Sequence, residues 1–159
     1  MSPERDRDAS GRPLSARPRD ADGRPLPYDA PADVVAEREP EDVVRPPAES
    51  LARAQSLLDA GRPFPAHDVL EAAWKHGPAD ERDLWQGLAQ LCVALTHVRR
   101  GNPAGGRTLF RRGADRLRDY AAVGGDLHGV DLPSVLTWAE AAGEPGVIAV
   151  PSAGLRLRG

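Results

Sequence analysis

Between Ala48 and Gly143 the apolar residues recur at helical spacing, and proline and glycine cut that run into five pieces. The breaks fall at Pro46-Pro47, Gly61, Gly77-Pro78, Gly101-Asn102-Pro103 and Gly124-Gly125. Glycine accepts the backbone turn that ends a helix, and proline fits the first turn of the next one. The punctuation predicts helices from about Ala48 to Ala60, from Phe64-Pro65 to Gly77, from Pro78 to Arg100, from Pro103 to Val123 and from Leu132 to Ala142. Gly101-Asn102-Pro103 gives a stop, an N-cap and a first-turn proline in succession, so the third and fourth helices should form a tight antiparallel hairpin. Aromatic residues make up only 4% of the chain, and strand-forming residues are sparse. The fold class expected is all-α, a compact bundle of about five helices.

Outside that run the composition changes. Residues 1–47 hold most of the sixteen prolines and little that could build a core. They contain a short repeat, in which Asp8-Ala9-Ser10-Gly11-Arg12-Pro13-Leu14 returns as Asp20-Ala21-Asp22-Gly23-Arg24-Pro25-Leu26. Proline restricts the residue before it, so Gly-Arg-Pro favours turns and extended chain. The expected organisation is a disordered Gly/Arg/Pro-rich arm with an acidic linker over 1–47, a helical domain over 48–143 and a loose tail over 144–159. The formal charge of −3 is near balance. A single cysteine, Cys92, excludes an internal disulfide and a cysteine-based zinc site. The polar, proline-rich start does not resemble a signal peptide, and no apolar run reaches the length that spans a bilayer. These features point to a cytoplasmic protein with no membrane partner.

One stretch carries chemistry. In Phe64-Pro65-Ala66-His67-Asp68-Val69-Leu70-Glu71-Ala72-Ala73-Trp74, His67 and Glu71 stand one helical turn apart, on a stripe with Phe64, Leu70 and Trp74. Ionisable groups on a buried face need partners, because an unpaired buried charge is costly. The third helix adds Gln86, Gln90 and His97 within about 40° on a helical wheel, amid residues that are apolar nearly all round. His67, Glu71, Trp74, Gln86, Gln90 and His97 therefore form the expected polar cluster between helices 2 and 3. Gln86 and His97 lie about 16 Å apart along the axis, so His67 and Glu71 cannot meet both ends of that stripe.

Taken together, the Phe64–Trp74 pattern, Trp85-Gln86-Gly87-Leu88-Ala89-Gln90-Leu91, and His97 with Arg100-Gly101-Asn102 resemble the bacterial domain of unknown function 309 over roughly residues 48–121. The resemblance implies a small all-helical domain and brings no activity, substrate or cofactor with it. Members usually have Glu where Asp68 stands, and Gly-Ala near Gly105-Gly106. The Gly-Arg-Pro arm resembles an extension on actinobacterial members.

Three functional readings follow. The first is a non-catalytic binding or scaffold module, in which the polar cluster fixes helix 2 against helix 3 through hydrogen bonds and an unknown protein or small ligand is the partner. The second is a divalent metal or small ligand held by His67 and Glu71, which at i, i+4 can face one ion; an enzyme would then use Glu71 as base. The third is phosphate or nucleic-acid binding by a basic face of Arg100, Arg107, Arg111 and Arg118. Asp115 interrupts that face, no aromatic residue interleaves with it and the net charge is negative, so nucleic acid is disfavoured. His76 and His128 read as surface residues, Trp85 and Trp138 as core. A small bundle of this kind also leaves a homodimer open.

Overall fold

A computed structural model describes residues 18–20, 22, 24–33, 39 and 43–158. The chain divides into two units, Met1–Glu37 and Arg38–Gly159. The second holds five helices: α1 (Pro47–Asp59), α2 (Pro63–His76), α3 (Arg82–Arg99), α4 (Pro103–Ala122) and α5 (Leu132–Ala142). Each boundary lies within a few residues of its expected place. Asn102 caps α4 by accepting from the Gly105 amide, and Asp131 caps α5 by accepting from the Ser134 amide. One start differs. Ala79–Glu81 form a single 3₁₀ turn, so Asp80 and Glu81 precede α3 instead of occupying its first turn.

α3 is the central helix. Leu84, Leu88, Leu91, Cys92, Ala94 and Leu95 have no exposed surface, and α1, α2 and α4 supply the apolar residues around them. α3 and α4 approach closely because glycines face the contact. A Cβ on Gly106 would lie 2.7 Å from Val98 Cγ2, one on Gly113 would lie 2.9 Å from Leu91 Cδ2, and one on Gly87 would lie 2.7 Å from Leu117 Cγ. Residue numbers rise on one helix as they fall on the other, so the pair is antiparallel.

The segment after α5 was expected to be loose, and the structure corrects this. Leu155 and Leu157 are fully buried. Gln55 of α1 donates to the Leu155 carbonyl (3.0 Å) and accepts from the Leu157 amide (2.8 Å). The Ser152 hydroxyl donates to the Leu58 carbonyl, and Arg156 pairs with Asp59 at 2.9 Å. On its other side this strap bridges Val130 to Arg158, and the Asp131 amide donates to the Leu157 carbonyl.

In the first unit, part of the second repeat copy is described and forms a closed turn. Asp20 Oδ1 accepts from the amides of Asp22 and Arg24, and Arg19 bridges Pro25 in antiparallel fashion. An aspartate that binds the backbone two residues on sets such a turn. The first copy, and most of the expected disordered arm and acidic linker, lie outside the described residues.

Candidate functional site

α2 begins with Pro63 and Pro65 in its first turn and exposes Lys75 and His76 in its last. Its buried side is set by Pro65, Ala66, Val69, Leu70 and Ala72. On a wheel centred on Ala66, His67, Glu71, Trp74 and Phe64 fall about 80–160° away. They form the shoulder of the helix, half-buried, and not the centre of the buried face that was expected. The side chains of His67 and Glu71 retain 21% and 34% exposure. Small Ala66, Ala72 and Ala73 let the core contact rotate toward Val69, which displaces the His–Glu stripe to the edge. Asp68 is the buried ionisable group, with 7% of its surface exposed.

These three residues converge. His67 Nε2 lies 3.3 Å from Glu71 Oε2, and His67 Nδ1 lies 3.5 Å from Asp68 Oδ1. One ligand atom from each of His67, Asp68 and Glu71 can be chosen so that all lie within 4.8 Å of one another. Nδ1 is buried and makes no hydrogen bond among the described residues. Lys75, one turn further along, approaches Glu71 Oε1 at 3.2 Å. The Phe64 ring lies against the imidazole with centroids 5.7 Å apart, and the Arg82 guanidinium lies 5.5 Å over the Trp74 ring.

The α3 members of the expected cluster go elsewhere. Gln86 accepts from Arg116 of α4, which also pairs with Asp83 at 3.2 Å. Gln90 Oε1 is buried and has no hydrogen-bond partner among the described residues. His97 belongs to the α3–α4 turn, where its Nδ1 lies 3.1 Å from Asn102 Nδ2. The network joining His67 and Glu71 to Gln86 and Gln90 is therefore replaced by two separate arrangements, because α4 reaches Gln86 first. The basic face is also divided. Arg118 pairs with Asp115 at 2.9 Å and with Glu140 of α5, while Arg111 lines a shallow α4–α5 groove that those two acids share. Arg107 is half-buried, and Arg100 closes the α3 end.

A second titratable cluster was not anticipated. His76 is exposed as expected, but His128 is not a surface residue. Its ring stacks on Trp85 with centroids 6.0 Å apart, its Nε2 lies 2.5 Å from Glu81 Oε1, and its Nδ1 faces Asp126 Oδ2 at 3.7 Å. Its φ of 48° places it in the left-handed region, which a non-glycine residue occupies only when its surroundings impose it. Tyr120 donates to the Asp126 carbonyl at 2.6 Å. Burial, with Glu81, Asp126 and Asp80 nearby, raises its phenol above the ordinary range. Glu81 and His128 are 47 residues apart, so helical periodicity could not pair them. The DLHG turn is the local signal, since a histidine before glycine can close a left-handed turn.

With this geometry established, similarity places the chain. Residues 51–109 match a domain of unknown function, DUF309. Over those residues the chain is similar to the DUF309 family. Its first curated relative is an uncharacterized protein, YpuF, of Bacillus subtilis (strain 168), 47% identical over 48 residues, which are 30% of this chain and 28% of that protein. An uncharacterized protein of Aquifex aeolicus (strain VF5) is 28% identical over 94 residues, covering 58% of this chain and 27% of that protein. The alignments thus span little more than a quarter of either relative. No solved structure matches the chain. The DUF309 match contains the His67–Asp68–Glu71 turn, Gln86, Gln90 and His97, whereas His128, α5 and the strap lie beyond it. No helix among the described residues is long and apolar enough to cross a membrane.

Proposed function

We propose that the DUF309-like domain of this chain is a non-catalytic binding module that holds a divalent metal ion on one turn of α2, through His67, Asp68 and Glu71. The observation that supports it is the convergence of one nitrogen and two carboxylate oxygens within 4.8 Å. Imidazole with carboxylate is a borderline donor set that suits zinc and neighbouring transition metals better than calcium or magnesium. Three protein ligands keep one position of a tetrahedral ion open to a small ligand or a partner's side chain. A cytoplasmic setting accords with a lone buried cysteine and with no membrane-spanning helix among the described residues.

A second reading has its own observation. Lys75 at 3.2 Å from Glu71 continues a His67–Glu71–Lys75 ladder at i, i+4 spacing, which stabilises a helix by itself. The test is the metal content of untagged protein purified without chelator and then dialysed against zinc, measured by elemental mass spectrometry. Near-stoichiometric zinc is expected, and it should vanish in His67→Ala and Asp68→Asn while the helical circular dichroism persists. Metal-free wild-type protein after zinc loading would leave the ladder reading in its place.

A further inference from the structure

A cavity of about 180 Å³ lies between the chain entering α1, the outer end of α2 and the start of α3. None of His67, Asp68 or Glu71 lines it. Its walls are mostly apolar: Val43, Val44, Val69, Ala72, Ala73 and Trp85. Two polar groups stand out among them. Ser50 has only 2% of its surface exposed. Glu81 has only 14% of its side chain exposed. His128 holds its Oε1 at 2.5 Å, but the contact of Oε2 with Trp85 Nε1 is 3.5 Å, the outer limit of a hydrogen bond. One oxygen of a buried carboxylate therefore retains capacity for a stronger donor. Arg45 also lines the cavity, and its guanidinium is engaged by Glu39 at 3.3 Å.

We propose that this cavity is a binding site for a small primary ammonium ligand with a short aliphatic tail. The ammonium donates to Glu81 Oε2 and to Ser50 Oγ, and the tail lies against Val69, Ala72 and Ala73. A charge-assisted hydrogen bond to a largely desolvated carboxylate is stronger than a neutral one, and this selects ammonium over alcohol. Glu81 repels a carboxylate ligand. At about 30 Å³ per water, the volume admits about six non-hydrogen atoms, which sets the tail at about four or five carbons. The inference is independent of the metal reading, since the two sites share no residue.

The test uses the full chain and n-butylammonium chloride, with sodium chloride holding ionic strength constant. The Trp85 indole N–H resonance and the Ser50 and Ala73 amides are followed by ¹⁵N-correlated NMR. Saturable shifts confined to the cavity residues are expected. In Ala73→Leu, which fills the cavity from its apolar wall, they should disappear. In Glu81→Gln the affinity should fall about tenfold, the loss of one charge-assisted hydrogen bond. Ala73→Leu keeps the test decisive if Glu81→Gln loses its fold along with the His128 contact. An equal response to n-butanol would overturn the ammonium assignment. Shifts that do not saturate, or that survive Ala73→Leu, would overturn the site.

Discussion

Cys92 has no exposed surface, and burial pushes its thiol up to about 12 from an ordinary 9.0. The folded state therefore keeps a proton that the unfolded chain gives up at lower pH. Between about pH 9 and 12 the unfolded state binds fewer protons, so stability falls with rising pH by up to about 1.4 kcal/mol per unit from this group. Tyr120 titrates in the same direction. Urea unfolding of Cys92→Ala should show a shallower alkaline decline than wild type, and parallel declines would show that the thiol is not the titrating group. Native protein should likewise resist alkylation near neutral pH, because the thiolate is the nucleophile. Cys92 is legible in the sequence, where it stands inside an unbroken apolar run. Asp68 is not. Helical spacing gives each residue an angle, but only the packed neighbours decide where the buried arc is centred, and alanines at 66, 72 and 73 left that centre undetermined.

At the scale of elements, the five helices and the Asn102 cap were readable because glycine, proline and a capping side chain act through the local backbone. The α3–α4 contact depends on glycines for a different reason, which is space. A Cβ on Gly113 would lie 3.0 Å from the Gly87 carbonyl oxygen, and a backbone atom cannot move aside as a side chain can. Gly113→Ala should gain up to about 1 kcal/mol in helix propensity and lose about 1–3 kcal/mol to overpacking. A net destabilisation of about 1 kcal/mol is expected from the urea midpoint, and an unchanged or raised midpoint would contradict the close approach. Gly87 and Gly113 offered no sign of this in the sequence, since a helical glycine costs stability wherever it falls and pairing across helices is nonlocal. The Glu81–His128 contact was hidden for the same reason. The polar cluster was half legible: the His67–Glu71 spacing is local and survives, whereas partners for Gln86 depend on which helix reaches it first.

At the scale of the whole helical unit, the strap is the feature that sequence periodicity conceals. Leu155-Arg156-Leu157-Arg158 alternates apolar and polar residues, but four residues after a short turn are too few to signal an element. Its bonds reach 94 to 102 residues back to Leu58 and Gln55 of α1, and its other edge meets Val130 and Asp131 before α5. It thereby ties the first helix to the last and covers apolar surface that five helices of this length leave open. Truncating a fully buried leucine costs about 2–5 kcal/mol, against a total of about 5–15 kcal/mol for a domain of ordinary stability. Leu157→Ala should therefore lower the melting temperature by many degrees while the chain stays folded. Deleting residues 152–159 removes both leucines and the Ser152 and Gln55 bonds, and should leave a chain that no longer melts cooperatively. Hydrogen exchange on Leu157→Ala separates a general loss from a local one. Faster exchange should appear first at the Leu157 and Asp131 amides, which the strap holds directly, and only later in α3. If the shortened chain melts at the same temperature as the full one, α1 is held by α2 alone and the strap contributes nothing to the fold.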